Sequence, residues 1–200
     1  MDKSLYLAST SPRRRDLLSR LGVSFQTVAP VYEETPTSCP PREECLIFAE
    51  EKAKSVRAQC PKAWILGADT LIEFGGKALG KPKDDEDAVA ILQSLMGKTH
   101  EVHTAVVLLN SETGETLRHV ETARVTFKRA SEEEIRAYVA TGEPRGKAGA
   151  YAVQGRARSL FIENVEGDEE AVIGLPVAFI KKWLREIGLI EASEAAPRYS

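Results

Sequence analysis

The segment Leu5-Tyr-Leu-Ala-Ser-Thr-Ser-Pro-Arg-Arg-Arg-Asp constrains this chain more than any other. Leu5 to Ala8 read as a short buried strand that runs straight into a helix start. Ser11 suits the cap of that helix, and Pro12 suits its first turn. Acidic residues normally follow a cap, because free backbone N–H groups leave that end of a helix partly positive. Arg13, Arg14 and Arg15 stand there instead and repel it. The arrangement is sensible if a strongly anionic group, such as a polyphosphate, docks on the turn. The plain alternative is a solvated basic turn.

Beyond this turn, strand and helix patterns alternate. The first helix, Pro12 to Leu21, aligns Leu17, Leu18 and Leu21, and Gly22 stops it. Val23 to Ala29 is extended. A polar, Pro-rich loop carrying Glu33 and Glu34 runs to Pro41. A helix over Glu43 to Ala58 places Leu46, Ala49, Ala53 and Val56 on one stripe. Trp64 to Ile72 is an apolar strand interrupted by Asp69 and Thr70, and Gly75-Gly76 is a hairpin turn. Asp84 to Leu95 is amphipathic, with Ala88, Ile91, Leu92 and Leu95 facing in. Thr99 to Leu109 and Leu117 to Phe127 form a long antiparallel pair. Ser131-Glu-Glu-Glu caps a helix ending near Thr141-Gly142. A glycine-rich segment, Ala148 to Gly155, precedes a strand over Leu160 to Val165 and a closing helix over Val177 to Ile187. The order gives α/β with a mixed sheet. Residues 1–190 read as one domain, and 191–200 as a disordered tail.

The 27 Lys and Arg nearly balance the 30 Asp and Glu in 200 residues. That balance, without aromatic–basic interleaving, argues against a nucleic-acid-binding surface. The opening lacks the apolar run of a secretory signal, and no stretch reaches transmembrane length, so no membrane association is expected. Cys39, Cys45 and Cys60 are odd in number and unpaired in spacing, which argues against a disulfide framework or a thiolate zinc site and for a soluble, reducing compartment.

Asp69 is the sharpest chemical candidate. A carboxylate beside a buried strand is costly unless it is paired, protonated or bound to metal. Its alternative is a turn carboxylate bonded to local backbone. Glu33 and Glu34 could hold Mg²⁺ or Mn²⁺ through oxygen, though acidic loops are common. Lys52 is either a helical lysine aimed into a pocket or half of a surface pair with Glu51. Lys81, in Gly80-Lys-Pro, is a stiffly presented cation suited to phosphate. No Walker or dinucleotide-binding spacing is present. Lys147, Tyr151 and Gln154 lie in a segment whose glycines admit a ligand close to backbone, and Gln154 offers donor and acceptor to a planar base. Thr70 could act similarly. His100, His103 and His119 do not have the spacing of a metal triad and read as ordinary sheet residues.

Together these segments resemble the Maf family of nucleoside triphosphate pyrophosphatases. The resemblance runs from Leu7-Ala-Ser-Thr-Ser-Pro-Arg-Arg through Glu51-Lys-Ala, Gly67-Ala-Asp-Thr, Gly80-Lys-Pro and Gly97-Lys-Thr-His-Glu-Val-His-Thr. It continues through Gly142-Glu-Pro, Lys147-Ala-Gly-Ala-Tyr, Gln154-Gly and Val172-Ile-Gly-Leu-Pro, covering about residues 4–187. It implies an inosine-triphosphatase-like fold, with a central twisted mixed sheet flanked by helices and a cleft between two lobes. It also implies a cytoplasmic, homodimeric enzyme that needs a divalent metal, Mg or Mn. The enzyme would split a nucleoside triphosphate into monophosphate and pyrophosphate, keeping such nucleotides out of nucleic acids. Arg13, Thr70 and Gln154 match the dTTP/UTP branch; the 7-methyl-GTP branch tends to carry Trp, Gln and Glu there. Thr10, and the lack of Gly-Gly after Gln154-Gly155, depart from some relatives.

The resemblance implies that Ser9, Arg13 and Arg14 hold the triphosphate, with Lys52 and Lys81 reaching it and Lys147 beside it. Thr70 and Gln154 would contact the base side. Glu34, with Asp69, would hold the metal, and Asp69 would orient or deprotonate the attacking water. The rivals are a pyrophosphatase for 7-methyl-GTP or other non-canonical nucleotides, and a nucleotide-binding regulator of cell division that does not turn over.

Overall fold

The computed structural model describes residues 4–191. Its elements are β1 (Ser4–Ala8), α1 (Pro12–Ser19), β2 (Gln26–Val28), α2 (Pro41–Ser55), β3 (Ala63–Phe74), β4 (Lys77–Leu79) and α3 (Asp85–Leu95). There follow β5 (Thr99–Asn110), β6 (Thr116–Phe127), α4 (Glu132–Ala140), α5 (Arg156–Leu160), β7 (Ile162–Glu166), α6 (Glu169–Ile173) and α7 (Val177–Glu186). The strands form one sheet in the order β2-β1-β3-β5-β6-β7, with β4 added to β3. β2, β1 and β3 run parallel, and the rest of the sheet is antiparallel.

β1 and the first half of β3 are covered on both faces, which is why they read as near-continuous apolar runs, whereas the edge strand β2 is exposed at Gln26 and Thr27. Leu5, Leu7, Trp64 and Leu66 face Leu17 and Leu18 of α1 and Ile180 and Leu184 of α7. Their alternates Ala8, Ala63 and Ile65 face Ala49 and Ala53 of α2. The other lobe gathers Val102, Val125 and Phe127 of the sheet with Leu92 of α3, Tyr138 of α4, Tyr151 and Phe161.

One edge of β3 creates a notch. β1 pairs with β3 only as far as Ala8 and Gly67. β4 pairs with the same edge only from Ile72 onward. Among the described residues Ala68 to Leu71 therefore have no strand neighbour on that side, while β5 holds the other side throughout. β1 is parallel to β3 and β4 antiparallel, so their carboxyl ends approach the notch from opposite directions. The turn after β1 and the Gly80-Lys81 loop after β4 thus face each other across Asp69 and Thr70. This geometry is the cleft between two lobes.

Several expectations are corrected. The strand expected over Trp64 to Ile72 runs further, from Ala63 to Phe74; Asp69 and Thr70 break its apolar run but not its pairing, which joins them to Ala105 and Thr104. Pro41 opens α2 rather than ending the loop before it, in keeping with the missing N–H of proline at a first turn. The last expected turn of that helix is a separate 3₁₀ turn, Arg57–Gln59. The strand expected from Leu160 begins at Ile162, because Arg156–Leu160 winds into α5. The pattern-based reading has no counterpart for α6. The expected tail falls, from residue 192, outside the described residues. The hairpin turn stands as expected, with Gly75 and Gly76 both at positive φ. So does the Ser131–Glu134 capping box of α4.

Candidate active site

Ser9, Arg13, Arg14, Glu34, Lys52, Asp69, Thr70, Lys81, Lys147 and Gln154 all line one cleft of about 740 Å³. Tyr151 lines it too. Glu33 is exposed and does not.

The centre of the cleft depends on how closely α2 lies on β3. A Cβ on Gly67 would stand 2.2 Å from the Ala49 carbonyl oxygen and 2.9 Å from the Ala53 Cβ. Only glycine there, against two alanines, permits that approach. Ala49, Lys52 and Ala53 share one helix face. The same packing that buries the alanines therefore drives Lys52 toward Asp69, two residues beyond Gly67. Lys52 Nζ donates to Asp69 Oδ1 at 2.5 Å and to Glu34 Oε1 at 2.5 Å. Lys52 and Asp69 are buried, whereas the Glu34 side chain is 38% exposed. Partial burial acts to raise the Glu34 carboxyl, but the Lys52 hydrogen bond and charge, with Lys81 and Arg14 behind, outweigh it. They hold Glu34 below the ordinary carboxylate value. Asp69 Oδ2 is buried and has no hydrogen-bond partner among the described residues.

The loop bearing Glu34 is pinned to α2. Tyr32 packs its ring against Phe48 with centroids 6.1 Å apart, and Val31 N donates to Ser55 Oγ. Cys45, also on α2, is buried, and its thiol is pushed up to about 12, first by burial and then by the Asp69 charge. It is no nucleophile at neutral pH. Cys39 and Cys60 are also free thiols.

The N-terminal turn splits its arginines between two roles. Ser11 caps α1 and Ser9 Oγ accepts from Ser11 N, which shapes the turn. Arg14 reaches inward, donating Nε–H to the Gly174 carbonyl and Nη2–H to Thr70 Oγ1, each at 3.1 Å. Thr104 Oγ1 spends its one proton on the Ala171 carbonyl at 2.7 Å, so Thr70 is the donor in the 3.0 Å Thr70–Thr104 contact. A directed chain thus runs Arg14 → Thr70 → Thr104 → Ala171. Burial pulls the Arg14 guanidinium below its ordinary value, and Asp69 pulls it back. Arg13 and Lys81, by contrast, are exposed and have no hydrogen bond or ion pair among the described residues. Lys147 donates to the Glu143 carbonyl. Gln154 is exposed and its amide makes no hydrogen bond among the described residues.

The arrangement therefore has fixed and free cations. Lys52 and Arg14 are structural in their contacts, whereas Arg13 and Lys81 present open donors to anything anionic. Chain spacing could not separate the two kinds, because the difference lies in partners on distant elements. Thr104 and Glu143 were missed for the same reason. The histidines lie in the β5–β6 pair: His100 Nε2 meets Tyr151 Oη at 2.7 Å, and His119 stacks on Phe179. His103, Glu73 and Glu101 bring their ligand atoms within 4.8 Å of one another, a proximity set by cross-strand register. His103 Nε2 is bonded to Glu73, and its Nδ1 to Thr122. No helix among the described residues is long and apolar enough to cross a membrane.

A dTTP/UTP pyrophosphatase of Pelotomaculum thermopropionicum is 44% identical over 187 residues, covering 93% of this chain and 97% of that one. Enzymes of the same name from Carboxydothermus hydrogenoformans and Bacillus pumilus are 40% and 41% identical, each over 92% of this chain and 98% and 97% of theirs. Among solved structures, the Ham1 protein of Staphylococcus aureus aligns over 62% of this chain and 72% of its own, at 15% identity and a TM-score of 0.43. Residues 4–187 match the family described as Maf-like protein. With that match spanning both lobes and every residue that lines the cleft, the chain belongs to the Maf family.

Proposed function

We propose that this chain hydrolyses dTTP and UTP between the α- and β-phosphorus, releasing a nucleoside monophosphate and pyrophosphate. The observation that carries this reading is the buried Asp69 carboxylate, held through one oxygen by Lys52 and, among the described residues, unpartnered at the other, in the same cleft as two free cations. The relatives' shared name supplies the substrate pair.

Arg13 and Lys81 would neutralise the triphosphate from the two sides of the notch, and Arg14 would add charge from a fixed position. Lys52 fixes the two carboxylates so that neither must reorganise during reaction. Asp69 Oδ2 would align the attacking water and accept its proton, while charge on the departing pyrophosphate is met by Lys81 and Arg13. The donor set also fits a divalent ion: Asp69 Oδ2 and the second Glu34 oxygen are hard oxygens left free by Lys52. Bound there, Mg²⁺ or Mn²⁺ would supply further neutralisation of the phosphate oxygens and a more acidic water. Gln154 would pair with the edge of the pyrimidine. We read residues 1–190 as a single domain acting as a homodimer in the cytoplasm, where nucleotide pools lie.

A panel of the canonical triphosphates, modified pyrimidine nucleotides and 7-methyl-GTP, with pyrophosphate detection, tests the reading. Pyrophosphate from dTTP and UTP supports it. Turnover confined to 7-methyl-GTP, or none at all, overturns it.

A further inference from the structure

We infer that Glu143 is a positioning residue for base recognition, acting through Gln154; the inference rests on the pyrophosphatase reading above. Gln154 occupies the third position of a tight turn, Ala152-Val153-Gln154-Gly155, closed by Gly155 N–H to the Ala152 carbonyl at 3.1 Å. On its upstream side the turn is anchored in the core. Val153 is buried, and buried Tyr151 bonds to His100. On its downstream side nothing on the turn itself does the same work. Gly155 is the cap residue of α5 and has no side chain to offer the free N–H groups there.

Glu143, in the turn after α4, supplies what the glycine lacks. One carboxylate oxygen accepts from Arg156 N at 3.2 Å, and the other from Tyr138 Oη at 3.3 Å. The carboxylate sits so tightly that a Cβ on Gly155 would lie 1.8 Å from Glu143 Oε1. Glycine at 155 thus makes room for the carboxylate, and the carboxylate holds the backbone immediately after Gln154. The Glu143 main chain is held in turn: its N–H donates to Thr141 Oγ1 at 3.2 Å, and its carbonyl accepts from Lys147, which lines the cleft. The Gln154 amide makes no hydrogen bond among the described residues, so its reach toward a bound base depends on this backbone. Losing a hydrogen-bonded carboxylate that holds a loop shifts affinity by about tenfold.

The test is a double-mutant cycle on dTTP, with Kd from calorimetry and steady-state pyrophosphate release measured in parallel. Glu143→Ala should weaken dTTP binding and raise KM by about tenfold, with kcat within about twofold. Glu143→Gln, which keeps an oxygen for Arg156 N and an amide for Tyr138 Oη, should restore most of the loss. In a Gln154→Ala background, Glu143→Ala should cost nothing further, because the contact it positions is already gone. Additive effects of Glu143→Ala and Gln154→Ala overturn the inference while leaving the pyrophosphatase reading intact. So does an unchanged KM alongside a lowered melting temperature, which would make Glu143 merely structural. A wild-type protein that neither binds nor cleaves dTTP overturns both.

Discussion

Lys52 Nζ lies 2.5 Å from Asp69 Oδ1, inside the protein, while Asp69 Oδ2 has no partner among the described residues. A buried carboxylate is tolerated because a buried ammonium faces it. That single pairing links the packing of α2 to the chemistry proposed for the notch.

Removing the ammonium should expose its structural share. Lys52→Met leaves the buried Asp69 without its hydrogen-bonded cation, and urea unfolding should show a loss of about 3–5 kcal/mol. Adding Asp69→Asn to Lys52→Met should recover part of that loss. A double variant no more stable than Lys52→Met would contradict the pairing as described.

The alanine face of α2 should be equally sensitive. Gly67→Ala drives a methyl group into the Ala49 carbonyl, so α2 must back away. Overpacking of this kind costs about 1–3 kcal/mol, and here it should also lower kcat by moving Lys52 relative to Asp69. Thermal melts and dTTP turnover measured together check this; normal turnover in a destabilised protein would separate the helix approach from the chemistry.

The two arginines should behave as opposites. Arg13→Ala removes an exposed, unpaired cation, so KM for dTTP should rise at an unchanged melting temperature. Arg14→Ala removes bonds to Gly174 and Thr70 as well as a charge, so both stability and turnover should fall. Equal melting temperatures for the two variants would contradict the division of labour.

His100 should impose a pH dependence on stability. Burial depresses its folded pKa to about 4, against an ordinary 6.5. Between these values the unfolded chain binds the extra proton, so stability rises with pH there. The contribution is complete above about pH 6.5 and is lost as pH falls toward 4, for a total of about 3 kcal/mol. Denaturation curves of wild type and His100→Gln across that range should differ in slope; parallel curves would place the pH dependence elsewhere.

Much of the cleft was legible in the chain because its residues announce themselves locally. Ser11-Pro12 ends a strand and starts a helix, Gly80-Lys-Pro ends another strand, and Asp69 is conspicuous in an apolar run. Which face a residue joins follows from period-2 alternation once β3 is known to be continuous. The full length of β3 is less legible, because Asp69 and Thr70 thin the apolar pattern that β5 nonetheless pairs straight across. The notch itself is a property of three strands of unequal length and opposite direction, which no single segment encodes. The Arg14–Thr70–Thr104 chain and the Glu143 clamp on Gly155 join residues 34 to 56 and 12 positions apart, through contacts that exist only in the folded sheet and loop. Short α5 and α6 carry too few residues to show a helical period.

³¹P NMR of dTTP incubated with Mg²⁺ and either wild-type or Asp69→Asn protein, each first shown to be folded and to bind dTTP, tests the role of Asp69 most directly. Wild type should convert dTTP to dTMP and pyrophosphate, and the Asp69→Asn protein should leave it nearly untouched. Near-full turnover by Asp69→Asn, or dTDP and phosphate as the wild-type products, would contradict the role assigned to the free oxygen of Asp69.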